Sequence, residues 1–268
     1  MRLELPARVK SWLPSAVGRE RMQAQRGEPI LYADWLDVVF LHYAVDPAVL
    51  QPQVPWQLDL RDGRAYVSLV AFTMRDMRPR IGGKLTALLF KPIATHEFLN
   101  VRTYVTHDGE PGIYFLAEWL PNALSVALGP GVFGLPYRKG RLRYQNEPLD
   151  GHVAGSIEDA RSGASFSYSA TAGTAAMHSP CEAGSLDEFV LERYTAFTSE
   201  WGLHRRFRIW HPPWAVTPLD VQVDDCGLFA ETGDWSRTAT LIGAHHSNGF
   251  PDVWMSRPNL LGRVEAQA

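Results

Sequence analysis

"EFLNVRTYVTHDGEPGIYFLAEWL", residues 97–120, is the stretch on which the fold turns. Two runs rich in β-branched and aromatic residues flank His107-Asp108-Gly109, and Asp-Gly is a strong signal for a tight hairpin turn. Side chains alternate across a strand. Phe98, Asn100, Arg102 and Tyr104 therefore share one face, and Leu99, Val101, Thr103 and Val105 share the other. The second set is apolar and belongs in a core. The first holds an amide and a guanidinium between two aromatic rings. A wall with no task has no need of those groups, so Asn100, Arg102 and Tyr104 are candidate ligand-binding residues.

Working outward, "GRAYVSLVAFTMRDM" (63–77) is another strand, apolar on both faces and so covered on both sides. The run 34–47 mixes acidic and apolar residues and ends at the Asp46-Pro47 turn. "HVAGSIEDA" and "ASFSYSATAG" alternate as strands, and "RRFRIWHPPW", "LDVQVDD", "GLFAET" and "RTATLIGAHHS" are short strand candidates. Helices are fewer. Residues 1–25 read as a charged helical extension broken at Pro14, and 121–133 as a short apolar helix broken at Gly129-Pro130-Gly131. Residues 185–200 have the strongest helical pattern: Ser185 and Glu188 form a capping box, and Phe189, Arg193 and Phe197 fall on one side. Strands outnumber helices and follow one another in hairpin order. The expectation is an α+β, predominantly antiparallel β protein built on a barrel or on two packed sheets. Regular βαβ alternation, GxGxxG and Walker sequences are all missing, which disfavours a nucleotide-binding sheet.

Composition excludes several function classes. The 268 residues carry a net charge of −3 with 46% hydrophobic residues, a balance with no general pull toward nucleic acid. No apolar run approaches the roughly 20 residues of a membrane span, and the amino terminus has no signal-peptide core. The expectation is a soluble, cytoplasmic protein without nucleic-acid or membrane partners. Cys181 and Cys226 lack CxxC spacing, and His245-His246 are adjacent and so point to opposite faces of a strand. Neither pattern calls for a metal, and no cofactor motif is present. GxSxG is also absent.

Two compact motifs remain. "WHPPW" (210–214) reads either as a rigid corner between strands or as a pocket mouth in which His211 shuttles a proton beside Trp214. "VFGLPYRKGRLRY" (132–144) holds one of only four lysines in the chain. As a strand it sets Tyr137, Lys139, Arg141 and Arg143 on one face and Arg138, Gly140, Leu142 and Tyr144 on the other. The first face is either solvated, the default for charge, or it lines a barrel interior. There, crowded cations would lower the Lys139 pKa and attract a carboxylate.

The ordered blocks "LHYAVDPAVLQPQVPWQLDL", "DGRAYVSLVAFTMRDMRP", "LNVRTYV", "GIYFLAEWL", "FGLPYRKGRLRY", "FVLERYTAF" and "HPPW" resemble the YqjF-like DUF2071 family over residues 30–250. That family is grouped with the acetoacetate decarboxylase-like superfamily. The resemblance implies a closed or cone-shaped antiparallel β-barrel with peripheral helices and a ligand cavity. It divides the chain into a helical extension (1–29), one barrel domain (30–255) and a tail (256–268). By analogy it also makes homo-oligomers an expectation. Decarboxylases of the superfamily use a lysine Schiff base whose pKa is lowered by a neighbouring cation, placed directly after a Gly-aromatic-Pro turn. Here Gly134-Leu135-Pro136 occupies the turn, Tyr137 matches the reactive lysine and Arg138 its neighbour. A phenol forms no imine, and Lys139 lies two residues further on. The carboxylate of those enzymes falls near "EFLNVR", where Asn100 stands with Glu97 nearby. One reading is an enzyme acting on a small carbonyl or carboxylate compound: Tyr137 as acid, Arg102 and Arg138 as anion clamps, Lys139 or His211 as base. The other is a non-catalytic module that binds a small metabolite with the same residues. A filled barrel with only a structural role is the third.

Overall fold

The computed structural model describes residues 13–147, 151–172 and 178–263. In chain order these form α1 (Leu13–Gln23), β1 (Leu31–Val45), α2 (Pro47–Leu50), β2 (Gln57–Leu58), β3 (Ala65–Pro79), α3 (Gly83–Phe90), β4 (His96–His107) and β5 (Glu110–Leu120). Then follow α4 (Ala123–Phe133), β6 (Tyr137–Glu147), β7 (His152–Asp159), β8 (Ser165–Ala172), β9 (Ser179–Pro180) and α5 (Leu186–Leu191). The chain continues through β10 (Thr195–Glu200), β11 (Leu203–Trp210), β12 (Ala215–Asp225), β13 (Thr240–Met255) and β14 (Asn259–Arg263).

The pairings close on themselves. Going round, β5–β6–β7–β8–β12–β13–β1–β3–β4 returns to β5, a ring of nine strands. β10 and β11 make a second closure, bridging β5 to β13 on the other side of the same wall. Among the described strands only β5–β6 and β5–β10 pair in parallel. This is the predominantly antiparallel α+β fold expected from the strand pattern.

The shared wall of β1, β3, β4 and β5 is buried on both faces, as the two-sided apolar pattern of 63–77 requires. Val67, Leu69, Val101 and Trp119 pack with Leu142, Ile157 and Phe166 inside the nine-strand ring. Their alternate neighbours Val70, Phe72, Phe98 and Phe115 pack with Phe207, Ile209 and Trp214 beneath β10 and β11. The period-two alternation of four strands thus divides the molecule into two cores.

The β4–β5 hairpin turns through Asp108 and Gly109, both at positive φ (51° and 73°), as a type I′ turn requires. Several local expectations change. Only Leu186–Leu191 of the helix expected over 185–200 is helical, capped by Ser185 Oγ accepting from Glu188 N at 3.1 Å. Residues 195–200 instead pair with β11 and β5. Residues 190–198 are all buried, and a one-sided helix offers no such surround, whereas a strand between two neighbours does. α4 runs through Pro130, losing one backbone donor, and stops at Gly134 in the left-handed conformation, φ 69°. Pro14 sits in the first turn of α1, where proline is tolerated. "GLFAET" forms a 3₁₀ turn rather than a strand, because its apolar members cover the end of the ring and find no strand to pair with. The tail supplies β14, which pairs with β11.

Candidate functional site

Register builds the site. On the face of the wall toward β11, one cross-strand row reads Val70 (β3), Asn100 (β4), Glu118 (β5) and Tyr137 (β6). Directly opposed residues of neighbouring strands have side chains within about 4.5–5.5 Å of each other. The next row brings Ser68 beside Arg102. These rows floor a hollow of about 80 Å³ lined by Asn100, Arg102, Glu118, Tyr137, Arg193 and His211 among aromatic and aliphatic side chains.

Glu118 is the residue that sequence reasoning missed. It owes its place to a β-bulge: β4–β5 runs in strict hairpin register from His107↔Glu110 to Arg102↔Phe115, then slips one residue to Val101↔Ala117 and Asn100↔Glu118. Leu116 and Ala117 both face the nine-strand core, so Glu118 turns into the hollow. A bulge re-aims side chains in this way. In strict register Asn100 would oppose Ala117, and the acid would enter an apolar core. The signal in the sequence was a lone acid within "GIYFLAEWL".

The electrostatics follow from burial. Glu118 is 4% exposed and Oε1 has no hydrogen-bond partner. Burial raises its pKa well above the ordinary carboxylate range, with the nearby Arg102 charge pulling the other way. Burial, then the proximity of Glu118, pushes the Tyr137 phenol well up. The Tyr137 phenol therefore keeps its proton near neutral pH, and burial favours the protonated form of Glu118. Asn100 Oδ1 and Arg102 Nε are also buried without a partner among the described residues. Arg102 is otherwise held by one bond from Nη2 to the Val190 carbonyl (3.2 Å) and lies 5.8 Å from the Phe40 ring centroid.

The opposite wall comes from "WHPPW". Ser15 of α1 ties this loop down, Oγ donating to the His211 carbonyl at 2.9 Å while Trp210 Nε1 donates to Ser15 O at 3.0 Å. His211 Nδ1 lies 2.7 Å from the Pro212 carbonyl, an acceptor, which sets the proton on that nitrogen. Burial lowers the His211 pKa to about 4, so the ring is neutral near pH 7. It packs against Trp214, centroids 4.7 Å apart, and both line the hollow. Arg193 also lines it, but its charge is matched by Asp59 at 2.6 Å.

The structure separates the other expected residues. Tyr137 faces the hollow, but Lys139, on the same face of β6, is exposed. Arg141 and Arg143 are exposed as well. The cover ends at Tyr137: β6 leaves β5 after Lys139 and runs on against β7 alone. The strand beyond Tyr137 is solvated, and Lys139 does not line the hollow. Arg138 points to the other core, 5.3 Å from the Trp119 ring centroid, with Nη1 donating to Glu231 O at 2.9 Å. It does not clamp a ligand in the hollow. Tyr104 lies on the expected face, but its hydroxyl is used by Ser68 Oγ (2.5 Å) and the Val190 carbonyl (2.8 Å), and it does not line the hollow. Glu97 does not line it either.

α4 crosses directly over Tyr137. A Cβ on Gly129 would overlap the Tyr137 ring. Gly129→Val is expected to destabilise by about 1–3 kcal/mol, the usual cost of overpacking, and to weaken ligand binding by displacing Tyr137. Gly131→Ala, whose added methyl meets only ordinary contacts with Trp201, leaves both unchanged. Thermal melts and ligand titrations of the two variants check this.

A strand ring with peripheral helices and a small polar hollow behind one wall defines the class to which this protein belongs, the acetoacetate decarboxylase-like fold. An acetoacetate decarboxylase-like enzyme from Sphingomonas wittichii RW1 superposes with a TM-score of 0.59 at 18% identity, covering 88% of this chain and 95% of the other. The enduracididine biosynthesis enzyme MppR complexed with pyruvate gives 0.59 at 15% identity, covering 90% and 94%. At such identities the likeness establishes the fold alone. The DUF2071 family model, described as an uncharacterized conserved protein, matches residues 32–249, and the chain belongs to that family. The uncharacterized protein YqjF of Bacillus subtilis (strain 168) is 27% identical over 196 residues, 72% of this chain and 78% of the relative.

Proposed function

We propose that the hollow beneath β11 binds a small anionic carbonyl or carboxylate compound. The observation that carries this reading is the set of three buried polar atoms without partners, Asn100 Oδ1, Arg102 Nε and Glu118 Oε1, on two neighbouring strands of the wall. Buried polar groups are normally satisfied. A ligand carboxylate answers two of them together: it accepts from the Arg102 guanidinium and from the protonated Glu118. Tyr137 O–H and the Asn100 amide N–H donate to a carbonyl oxygen, while Asn100 Oδ1 accepts from a ligand hydroxyl or enol. The complex of MppR with pyruvate, a small 2-oxo acid, agrees with that ligand class.

The chemistry available is proton transfer. Tyr137 holds its proton at neutral pH, burial favours the protonated form of Glu118, and a neutral His211 closes the opposite side. Among the described residues no lysine lines the hollow. An imine mechanism therefore lacks its amine, and binding with acid assistance fits the residues better than Schiff-base decarboxylation. Incubation with 2- and 3-oxo acids and borohydride is expected to leave the mass of Lys139 peptides unchanged. A reduced adduct there would restore the Schiff-base route. The direct test is calorimetry with 2- and 3-oxo acids against their methyl esters. The acids are expected to bind and the esters to bind at least about tenfold more weakly, the value of one charge-assisted contact. Equal affinities end the proposal.

A further inference from the structure

A second hollow adjoins the first. It measures about 320 Å³ and lies between α3, α4 and the outer part of the wall. Ile93, Leu128, Val132 and Phe133 contribute to it, and among the described residues its only polar side chains besides Tyr137 are His96 and Ser125. Those two are joined to each other, His96 Nε2 to Ser125 Oγ at 3.2 Å. The two hollows share Met74, Phe98, Leu135, Tyr137, Phe207 and Met255. A partition one side chain thick therefore divides a cramped polar chamber from a roomier apolar one.

We infer that the ligand is amphipathic, a carboxylate or oxo-acid head in the polar chamber carrying a hydrocarbon tail that lies in the apolar hollow between α3 and α4. The inference rests on the head-group reading above and adds the tail. Three observations support it. The polar chamber alone, about 80 Å³, falls well short of the roughly 300 Å³ at which ligand pockets begin, and the adjoining hollow supplies the missing space. Tyr137 lines both hollows, so its ring belongs to the one-side-chain partition that a tail joining them has to displace. The two helices that contribute Phe90, Leu128 and Val132 to the outer hollow also expose apolar side chains. Leu85, Leu88 and Leu89 of α3 are 63–73% exposed, and Leu124, Leu128 and Val132 of α4 are 47–52% exposed. A hydrated ion gains nothing from such a mouth, whereas a hydrocarbon chain does.

The test is a titration series from acetate to decanoate, with straight-chain alkanols as neutral partners. Affinity of the acids is expected to rise about fourfold per added methylene until the hollow is filled, and each alkanol is expected to bind more weakly than its acid. Leu128→Asp, on a half-exposed helix position, should flatten the chain-length slope while acetate affinity stays unchanged. Arg102→Ala should lower every acid by one common factor and keep the slope. A flat slope in the unaltered protein, with short acids still bound, overturns the tail and spares the head-group reading. Equal binding of acids and alkanols with the slope intact overturns the head group. A dimer that Leu128→Asp dissociates, together with a flat slope, assigns the α3–α4 face to a second copy of the chain and overturns the inference.

Discussion

Arg102→Ala lowers affinity for small carboxylates by about 10- to 100-fold, while neutral analogues of the same shape change by less than about threefold. A hydrogen bond to a charged group contributes about 1.5–3 kcal/mol, and each 1.4 kcal/mol is a factor of ten. Of the two arginines that line the chamber, Arg193 is already matched by Asp59, so the anion depends on Arg102. Truncation leaves the Val190 carbonyl bonded to the Tyr104 hydroxyl, which limits the structural cost. Arg102→Met fills the volume without the charge and should reproduce the loss. Equal losses for charged and neutral ligands would show that Arg102 only supports the wall, and would remove the anion clamp from the proposal.

Glu118→Gln is expected to raise the melting temperature at pH 8 by several degrees, a gain that shrinks toward zero near pH 4.5. The Glu118 pKa is raised in the folded protein by burial, with Arg102 offsetting part of the effect. The folded state therefore holds this proton more tightly than the unfolded chain does. That contribution to stability is complete below the unfolded value near 4.5 and is lost as pH rises toward the folded value. Glutamine removes the ionisation and keeps both the shape and a donor. Each pKa unit of elevation corresponds to about 1.4 kcal/mol, and in a chain of this size 1 kcal/mol moves the melting temperature by about 2–4 °C. His211 acts with the opposite sign: its folded pKa is depressed to about 4, so its contribution is present above about 6.5 and is lost as pH falls. The two profiles cross in the acid range, so the difference between variant and parent has to be taken at each pH. No gain at pH 8 would mean that Glu118 is ionised in the folded protein and stabilised by Arg102.

Both expectations concern residues that differ in how far local pattern reveals them. Arg102 and Asn100 were legible, because a strict hairpin sets them on one face with two aromatics. Tyr137 was legible through the resemblance, as the position after the Gly-Leu-Pro turn, while strand alternation left its face either solvated or interior. Glu118 was not. Its orientation depends on one extra residue in β5, and neither Leu116 nor Ala117 marks a bulge by its chemistry. Its neighbour Tyr137 arrives through the parallel β5–β6 crossover over α4, a pairing that no two-residue turn specifies. Lys139 failed for a related reason. Alternation gives a side chain's face but not where the covering layer ends.

The amino-acid sequence by itself determined the strand-rich α+β architecture, the hairpin at its centre, the family resemblance and the faces on which Asn100, Arg102 and Tyr137 lie. The resemblance comes from ordered sequence blocks; the other properties come from period-two patterning and turn chemistry, which act over a few residues. Only the tertiary structure decided that one wall serves two cores and that the polar hollow lies on the β11 side. It also decided that a bulge turns an acid into that hollow and that a second, apolar hollow adjoins it. Those depend on pairings between segments some 200 residues apart, such as β1 with β13, where Leu31 opposes Met255 and Ala44 opposes Thr240. Such contacts are set by how the surfaces fit together, and that fit leaves no period in the chain.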